Sequence, residues 1–223
     1  SKSSNHTINK SDNIIDDYSS YSVKTVKGRG AISTDTEKCS KIGADVLRQG
    51  GNAIDAAISS RICLGVISPA SSGIGGGCYI LIYNESTSEK IFIDSRETAP
   101  ANATSHMFAD QADKAQNGGL AIAVLAELKG LYLAYQKYGS GVLSWEKLIL
   151  PGARLAEKYM VSPILASYIT SEQKHILSGE YPQLQSLFTN KDGSLKTIGD
   201  YVYQPKLAET LHQIAKKGPS YIY

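Results

Sequence analysis

The spacing of apolar residues predicts two short helices after the first thirty residues. Thr34 and Glu37 have the Ser/Thr-x-x-Glu spacing of a capping box, and apolar residues then recur at helical intervals up to Leu47. We expect Gly50-Gly51 to end this helix, because glycine adopts the left-handed conformation without steric cost. Asn52 is a suitable cap for the next helix. The pattern therefore predicts two helices that run roughly antiparallel.

The following stretch predicts a strand hairpin. Residues 68–77, with the sequence SPASSGIGGG, cannot continue a helix, and they lead into Tyr79–Tyr83, which is apolar at every position. A strand apolar on both faces is expected to be buried on both sides. A polar turn over Asn84–Glu89 then precedes a second strand over Ile91–Ile93.

The rest of the chain is predicted to be mainly helical. Helices are expected at Ile122–Tyr138, Trp145–Tyr159 and Pro205–Lys217, whereas residues 161–202 alternate between helix and turn signals. The first 23 residues lack periodicity and are expected to form a disordered leader, so residues 24–223 form the predicted domain.

Composition and charge exclude several classes of protein. With 223 residues, 42% apolar and 20% charged, the sequence is that of a globular chain with a sizeable core. The net charge of +2 is spread along the sequence, so nucleic acid is not an expected partner. No apolar run approaches the roughly 20 residues of a membrane span. Because the chain begins at Ser1 without an apolar signal region, we expect any signal or anchor to lie upstream.

A glycine-rich stretch and the cysteine and histidine residues could suggest a phosphate site or a metal site, but their order and spacing favour neither. The glycines of residues 73–77 follow a helix and precede a strand, which is the reverse of a phosphate-binding loop, so close backbone packing is the preferred interpretation. The three cysteines and four histidines lack the spacing of a metal site, and neither metal nor cofactor is expected. These residues are Cys39, Cys63, Cys78, His6, His106, His175 and His212.

Cys39 and Cys63 lie 12 residues before and 12 residues after Gly51, so their thiols reach the same height above the predicted turn. From spacing alone, a disulfide and two buried free thiols remain equal alternatives. Three triplets fit the N-glycosylation pattern, at Asn5, Asn84 and Asn102, and Asn84 is favoured because it lies in a polar hairpin turn.

Arg96 is the main candidate for binding a ligand. It follows the second predicted strand directly, and its planar fork can meet a carboxylate with two parallel hydrogen bonds. The alternative is a surface ion pair with Glu97 or Asp94.

Taken together, the motifs closely resemble the γ-glutamyltransferase family. They are CSKIGADVLRQGGNAIDAAI, SSGIGGG, DSRETAP, GLAIAVLAELKGLYLAYQKYG, LSWEKLILPGARLAE and GDYVYQPKLAETLHQIAKKG, in one order from about Gly30 to Tyr223. The resemblance implies an α+β fold, the αββα sandwich of N-terminal-nucleophile hydrolases. It also implies that this chain is the N-terminal, helix-rich portion of a large subunit, truncated at its C-terminus.

The resemblance further implies an activity and its participants. Family members cleave the γ-glutamyl bond of glutathione or another γ-glutamyl compound and transfer the glutamyl group to water or to an amino-acid or peptide acceptor. Their large subunit pairs with a small subunit released by autocatalytic cleavage. The arginine of the R-E-x-A-P motif, here Arg96, holds the substrate's α-carboxylate, and the Cys39–Cys63 pair becomes the expected disulfide. An exported location, extracellular or on the outer membrane face, is expected.

Two departures and one absence qualify the resemblance. Val124-Leu125-Ala126-Glu127 replaces the common V-P-G-E, and Cys78 replaces a fourth glycine; both are interpreted as local packing changes. The family's nucleophile, the first threonine of the small subunit, has no match here. Thr104, followed by His106, imitates part of its pattern but lacks the Ser-Val that should follow, and Thr210 lies inside a predicted helix. No catalytic residue is therefore assigned, and the chain alone is predicted to be inactive. The alternatives are a cephalosporin-acylase-like amidohydrolase and a non-catalytic relative without the small subunit.

Overall fold

The computed structural model describes residue 28 and residues 30–223, so the predicted leader and Asn5 lie outside the described residues. The chain divides into residues 1–31 and 32–223, and the second unit is described below. Its helices are α1 (Glu37–Arg48), α2 (Ala53–Ile67), α3 (Glu127–Tyr138), α4 (Trp145–Glu157), α5 (Pro163–Ser171), α6 (Gln173–Leu177), α7 (Pro182–Phe188) and α8 (Pro205–Lys217). Its strands are β1 (Cys78–Asn84), β2 (Glu89–Ser95), β3 (Tyr159–Met160) and β4 (Tyr201–Val202).

Helices α1 and α2 form the predicted helical pair. Thr36, rather than Thr34, caps α1, since its hydroxyl accepts from the backbone N–H of Cys39 at 3.3 Å. Asn52 and Asp55 form a reciprocal capping box at the start of α2. The structure joins Cys39 to Cys63 by a disulfide with a Cα–Cα distance of 5.5 Å, and Cys78 is free.

The core lies between α2, α4 and α8. In α2, Ser59 donates to the carbonyl of Leu148 in α4 at 2.8 Å, a buried contact that ties the two helices together. The indole N–H of Trp145, the first residue of α4, donates to the carbonyl of Ile214 in α8 at 3.1 Å. Gly152 lets α4 approach α2 closely, because an added Cβ would lie 2.5 Å from Ile62.

Strands β1 and β2 pair antiparallel from Cys78 opposite Ser95 to Asn84 opposite Glu89. Among the described residues one face of the hairpin is covered, so the predicted burial of β1 on both faces is not seen within this part of the chain. Ile82 and Ile93 pack with Ala134 of α3 on that face. The other face exposes large apolar side chains, each at least 60% accessible: Tyr79, Leu81, Tyr83 and Phe92.

Helix α3 begins later than predicted. Its first residue is Glu127 rather than Ile122, because Val124 forms an antiparallel bridge with Thr98 that holds the preceding segment extended. The ambiguous stretch over residues 161–202 contains α5, α6 and α7 and ends at β4. Among the described residues, no helix has the length and apolarity needed to cross a bilayer.

Candidate active site

Arg96 lies immediately beyond β2. Its backbone N–H donates to Asp94 Oδ1 at 3.0 Å, and this contact turns the chain out of the strand. Its Nη2 lies 2.8 Å from Glu97 Oε1, and its Cζ lies 5.8 Å from the centre of the Tyr79 ring. The ion pair offered as an alternative from the sequence is thus present. Half of the Arg96 side chain nevertheless remains exposed (50%), and its guanidinium group has five N–H donors, more than the ion pair with Glu97 uses.

The glycine-rich loop packs directly against the residue that pairs with Arg96. A Cβ on Gly77 would lie 2.3 Å from the backbone nitrogen of Glu97 and 2.5 Å from Glu97 Oε2. No real Cβ approaches backbone this closely, so glycine is required at this position. The loop therefore allows a close backbone approach, as expected from the order of the predicted elements.

The strand end that carries Arg96 is fixed on two sides. Ser95 is buried, and its hydroxyl donates to the carbonyl of Cys78 at 2.8 Å. The Cys78 sulfur lies 3.3 Å from the same hydroxyl oxygen. Gly130 of α3 packs on the same serine, since an added Cβ would lie 2.1 Å from Ser95 Oγ.

An ion pair lies beside this loop. The side chain of Glu127, at the first residue of α3, has no exposed surface and binds Arg61 of α2, whose side chain is 24% exposed. The backbone N–H groups of Ala126 and Glu127 both donate to the carbonyl of Gly76, at 3.0 and 3.1 Å. Glu127 therefore contacts both α2 and the glycine-rich loop.

Burial dominates the electrostatics of this region. It raises the pKa of the Glu127 carboxyl from 4.5 to about 7; the charge and hydrogen bond of Arg61 oppose the rise, and the charge of Glu97 adds to it. Burial also raises the pKa of the Cys78 thiol, although the hydrogen bond with Ser95 opposes this. The Cys78 side chain is thus a neutral thiol at neutral pH and a poor nucleophile.

The threonines considered as nucleophiles have ordinary structural surroundings. Thr104 lies in an exposed turn, where its carbonyl accepts from the backbone N–H of Met107 at 3.3 Å. Thr210 lies in α8, and its hydroxyl donates to the carbonyl of Lys206 at 2.8 Å. Within the described part of the chain, no cluster of three or more histidine, cysteine, aspartate or glutamate side chains is arranged to hold a metal ion.

Two of the predicted glycosylation sites are accessible. Asn84 is exposed at the end of β1, and its side-chain oxygen accepts from the backbone N–H of Ser86 at 3.1 Å and from the Ser86 hydroxyl at 2.7 Å. Asn102 is exposed in a turn. Their modification remains a prediction.

The sequence predicts a ligand-binding role for Arg96 but did not predict the pairing of Arg61 with Glu127. A signal was present, since Arg61 is the one charged residue between Ala56 and Ile67, a stretch of otherwise small or apolar residues. Its partner is 66 residues away along the chain, so no local pattern joins the two.

Known proteins resemble this chain in sequence and in structure. The sequence model of the family described as Gamma-glutamyltranspeptidase matches residues 39–223. Glutathione hydrolase 2 of Arabidopsis thaliana is 44% identical over 195 residues, which are 87% of this chain and 33% of that protein. The crystal structure of Helicobacter pylori gamma-glutamyltranspeptidase has a TM-score of 0.80 and 33% identity, covering 88% of this chain and 56% of that one.

The crystal structure of a cephalosporin acylase from Bacillus halodurans has a TM-score of 0.74 and 24% identity, covering 92% of this chain and 40% of that one. At this identity, the likeness shows that the two chains share a fold and nothing more. These neighbours confirm the α+β fold class predicted from the sequence. The chain spans about a third of the length of the curated relatives it matches.

Proposed function

The chain belongs to the γ-glutamyltranspeptidase family, and we propose that it is the N-terminal part of the large subunit of a γ-glutamyltransferase. The complete enzyme cleaves the γ-glutamyl bond of glutathione or a related compound and passes the glutamyl group to water or to an amino acid or peptide. Its partner is a small subunit produced from the same precursor, which supplies the nucleophile.

The observation that carries this proposal is the setting of Arg96. Its side chain is half exposed and lies just beyond the end of a strand, and its guanidinium group pairs with Glu97 and lies 5.8 Å from the centre of the Tyr79 ring. A planar fork held in this way can bind the α-carboxylate of a glutamyl group through two N–H donors. The carboxylate lies three carbons from the scissile γ-carbonyl, so Arg96 binds the substrate at a distance from the reacting bond.

The proposed chemistry divides between the two subunits. The hydroxyl of the N-terminal threonine attacks the γ-carbonyl carbon, its proton passes to a base, and the peptide nitrogen leaves as a protonated amine. A γ-glutamyl ester remains on the threonine. Water or the amine of an acceptor then attacks this ester and regenerates the hydroxyl. Arg96 retains the glutamyl group through both steps and keeps its carbonyl aligned.

The uncovered face of the hairpin supports the proposal that further chain completes the fold. Tyr79 and Phe92 stack at 5.5 Å between ring centres, and both are more than 60% exposed. A contiguous apolar face of this kind is typical of a surface that packs against protein. The remaining two thirds of the relatives' length is the natural source of that protein.

We also propose export of the protein and glycosylation at Asn84. The Cys39–Cys63 disulfide is typical of oxidising compartments, and Asn84 is exposed in a hairpin turn. Of the alternative functions, an acylase-like amidohydrolase is supported by the fold alone, and a non-catalytic relative by no particular feature of the described residues.

The first test compares the full-length protein with residues 1–223 in assays with glutathione and a γ-glutamyl anilide. We expect glutamyl release from the full-length protein only, because the short chain has the carboxylate anchor without the nucleophile. Activity of the short chain would mean that the nucleophile lies within it, and Thr104→Ala would then be the first variant to examine.

The second test replaces the anchor in the full-length enzyme. Arg96→Gln should raise the Michaelis constant for γ-glutamyl donors, with a loss of roughly 2 to 4 kcal/mol, or about 30- to 1000-fold in kcat/KM. Arg48→Gln is the matched control, because Arg48 forms an exposed ion pair with Asp45 on α1. Equal donor kinetics in Arg96→Gln and Arg48→Gln would mean that Arg96 forms only a surface ion pair and does not bind the donor.

A further inference from the structure

The pairing of Arg61 with Glu127 is an unusual feature in a helical core. The Glu127 side chain is completely buried, and removing a carboxylate from water is costly even when an arginine accompanies it. Well-packed apolar side chains at the same places would stabilise a fold equally well or better. The charges therefore call for an explanation other than stability.

Glu127 connects three elements around the glycine-rich loop. Its side chain binds Arg61 in α2, the helix that leads into the loop. Its backbone N–H donates to the carbonyl of Gly76 near the end of the loop at 3.1 Å, and it begins α3 itself. One residue thus fixes the loop relative to the helix before it and to the helix that packs on the hairpin.

The same elements determine where Arg96 lies. Val124, just before α3, exchanges backbone hydrogen bonds of 2.8 and 3.2 Å with Thr98. Gly77, next to the carbonyl that Glu127 binds, packs against Glu97, and Glu97 pairs with Arg96. A shift of Glu127 would therefore reach Arg96 through the loop and Glu97, and also through the bridge to Thr98.

We propose that Glu127, held by Arg61, is a positioning residue for the donor site. It sets the glycine-rich loop against Glu97, and Glu97 in turn directs the guanidinium group of Arg96 toward the donor's carboxylate. The kinetic part of this proposal rests on the proposed γ-glutamyltransferase function, whereas the structural part, the ordering of the loop and strand end, stands independently of it.

The principal variant is Glu127→Gln in the full-length protein, which preserves the shape of the side chain and removes its charge. A second variant, Arg61→Met with Glu127→Met, replaces the pair by apolar side chains of similar length and guards against a folding failure of the first. Glu146→Gln is the matched control, because Glu146 is also at the first turn of a helix but is exposed.

Two measurements separate positioning from a general structural role. Hydrogen exchange should rise in Glu127→Gln within peptides that cover residues 73–78 and 94–98, and remain unchanged in α4 and α8. The Michaelis constant for γ-glutamyl donors should rise on the order of 10-fold, with little change in kcat or in the acceptor's Michaelis constant. In the apolar double variant, the thermal midpoint should match or exceed that of the wild type while the donor defect persists.

Each other outcome contradicts the proposal in a recognisable way. If hydrogen exchange in Glu127→Gln is unchanged in residues 73–78 and 94–98, or rises uniformly across the protein, then Arg61 and Glu127 contribute only to packing. Restoration of wild-type donor kinetics by the apolar pair would show that the charges position nothing. If the wild-type protein does not act on γ-glutamyl donors, the proposed function fails, and hydrogen exchange alone decides whether Glu127 orders the site.

Discussion

Ionisation of Glu127 should make the folded protein less stable as the pH rises. Burial raises the pKa of this carboxyl from 4.5 to about 7 in the fold, against the opposing charge of Arg61. The folded state therefore binds the proton more tightly than the unfolded chain does. Its stabilising contribution is complete below about pH 4.5 and is lost as the pH rises through 7.

The magnitude follows from the difference between the two pKa values. A difference of roughly 2.5 pH units corresponds to about 3.5 kcal/mol of unfolding free energy, since one unit is about 1.4 kcal/mol. The groups that influence Glu127 are Arg61 and Glu97, and the carboxylate in turn raises the pKa values of Cys78 and Tyr223. Neither Arg61 nor Glu97 reverses the direction of the Glu127 pKa shift, because desolvation is its largest cause.

The assay is denaturant unfolding of the full-length protein at pH values from 5 to 8.5, for the wild type, Glu127→Gln and Glu146→Gln. The stability of Glu127→Gln relative to the wild type should increase by about 2.5 kcal/mol over this interval, slightly less than the full difference because pH 5 already lies above the unfolded pKa; glutamine has no charge to bury. The exposed-site control should follow the wild type. Parallel curves for the wild type and Glu127→Gln would refute the reasoning, since they would mean that Glu127 ionises as easily in the fold as in the unfolded chain.

Three further predictions concern other parts of the chain. Gly77→Ala should cost about 1 to 3 kcal/mol of stability and weaken donor binding, because its Cβ would clash with the backbone of Glu97, whereas Gly75→Ala, where the added Cβ meets no atom within 4 Å, serves as the control in the same unfolding and kinetic assays. Replacing both Cys39 and Cys63 by alanine should reduce stability by about 3 kcal/mol, and peptide mapping without reductant should find Cys78 unpaired; Cys78 in the bridge would overturn this assignment. After secretion from a eukaryotic host, glycosidase treatment should shift the mass of the wild type but leave Asn84→Gln with at most the glycans of other sites; an identical shift in both would contradict modification at Asn84.

Local signals predicted the parts of the fold that depend on short stretches of chain. Gly50, with a φ of 91°, ends the first helical segment, and Asn52 caps the second, as the spacing indicated. Helix α8 has the predicted bounds, from Pro205 to Lys217. Each of these helix ends is determined by a backbone conformation or a hydrogen bond within a few residues, so the local sequence is enough to predict it.

Tertiary contacts decided the features that were predicted wrongly or not at all. The apolar pattern from Ile122 to Ala126 predicted a helix, but pairing of Val124 with Thr98 keeps this segment extended. Tyr79 and Leu81 made β1 resemble a doubly buried strand, but their face of the hairpin is exposed among the described residues. The partner of Arg61 is distant in sequence and could be found only from the fold.

The candidate site was predicted in part. The position of Arg96 after a strand followed from the sequence, and the structure adds the loop, Gly77 and Glu97, that holds it. Its role as the anchor of a carboxylate remains a prediction.

The most direct test of that role pairs the removal of Arg96 with the removal of the carboxylate it is proposed to bind. The full-length wild type and Arg96→Gln are each assayed with a γ-glutamyl anilide and with the 4-aminobutyryl anilide, which lacks only the α-carboxylate. We predict that the wild type prefers the carboxylated donor by roughly 30- to 1000-fold in kcat/KM and that Arg96→Gln shows almost no preference, because the two changes remove one interaction. An undiminished preference in Arg96→Gln would contradict the account, since the carboxylate would then be bound elsewhere.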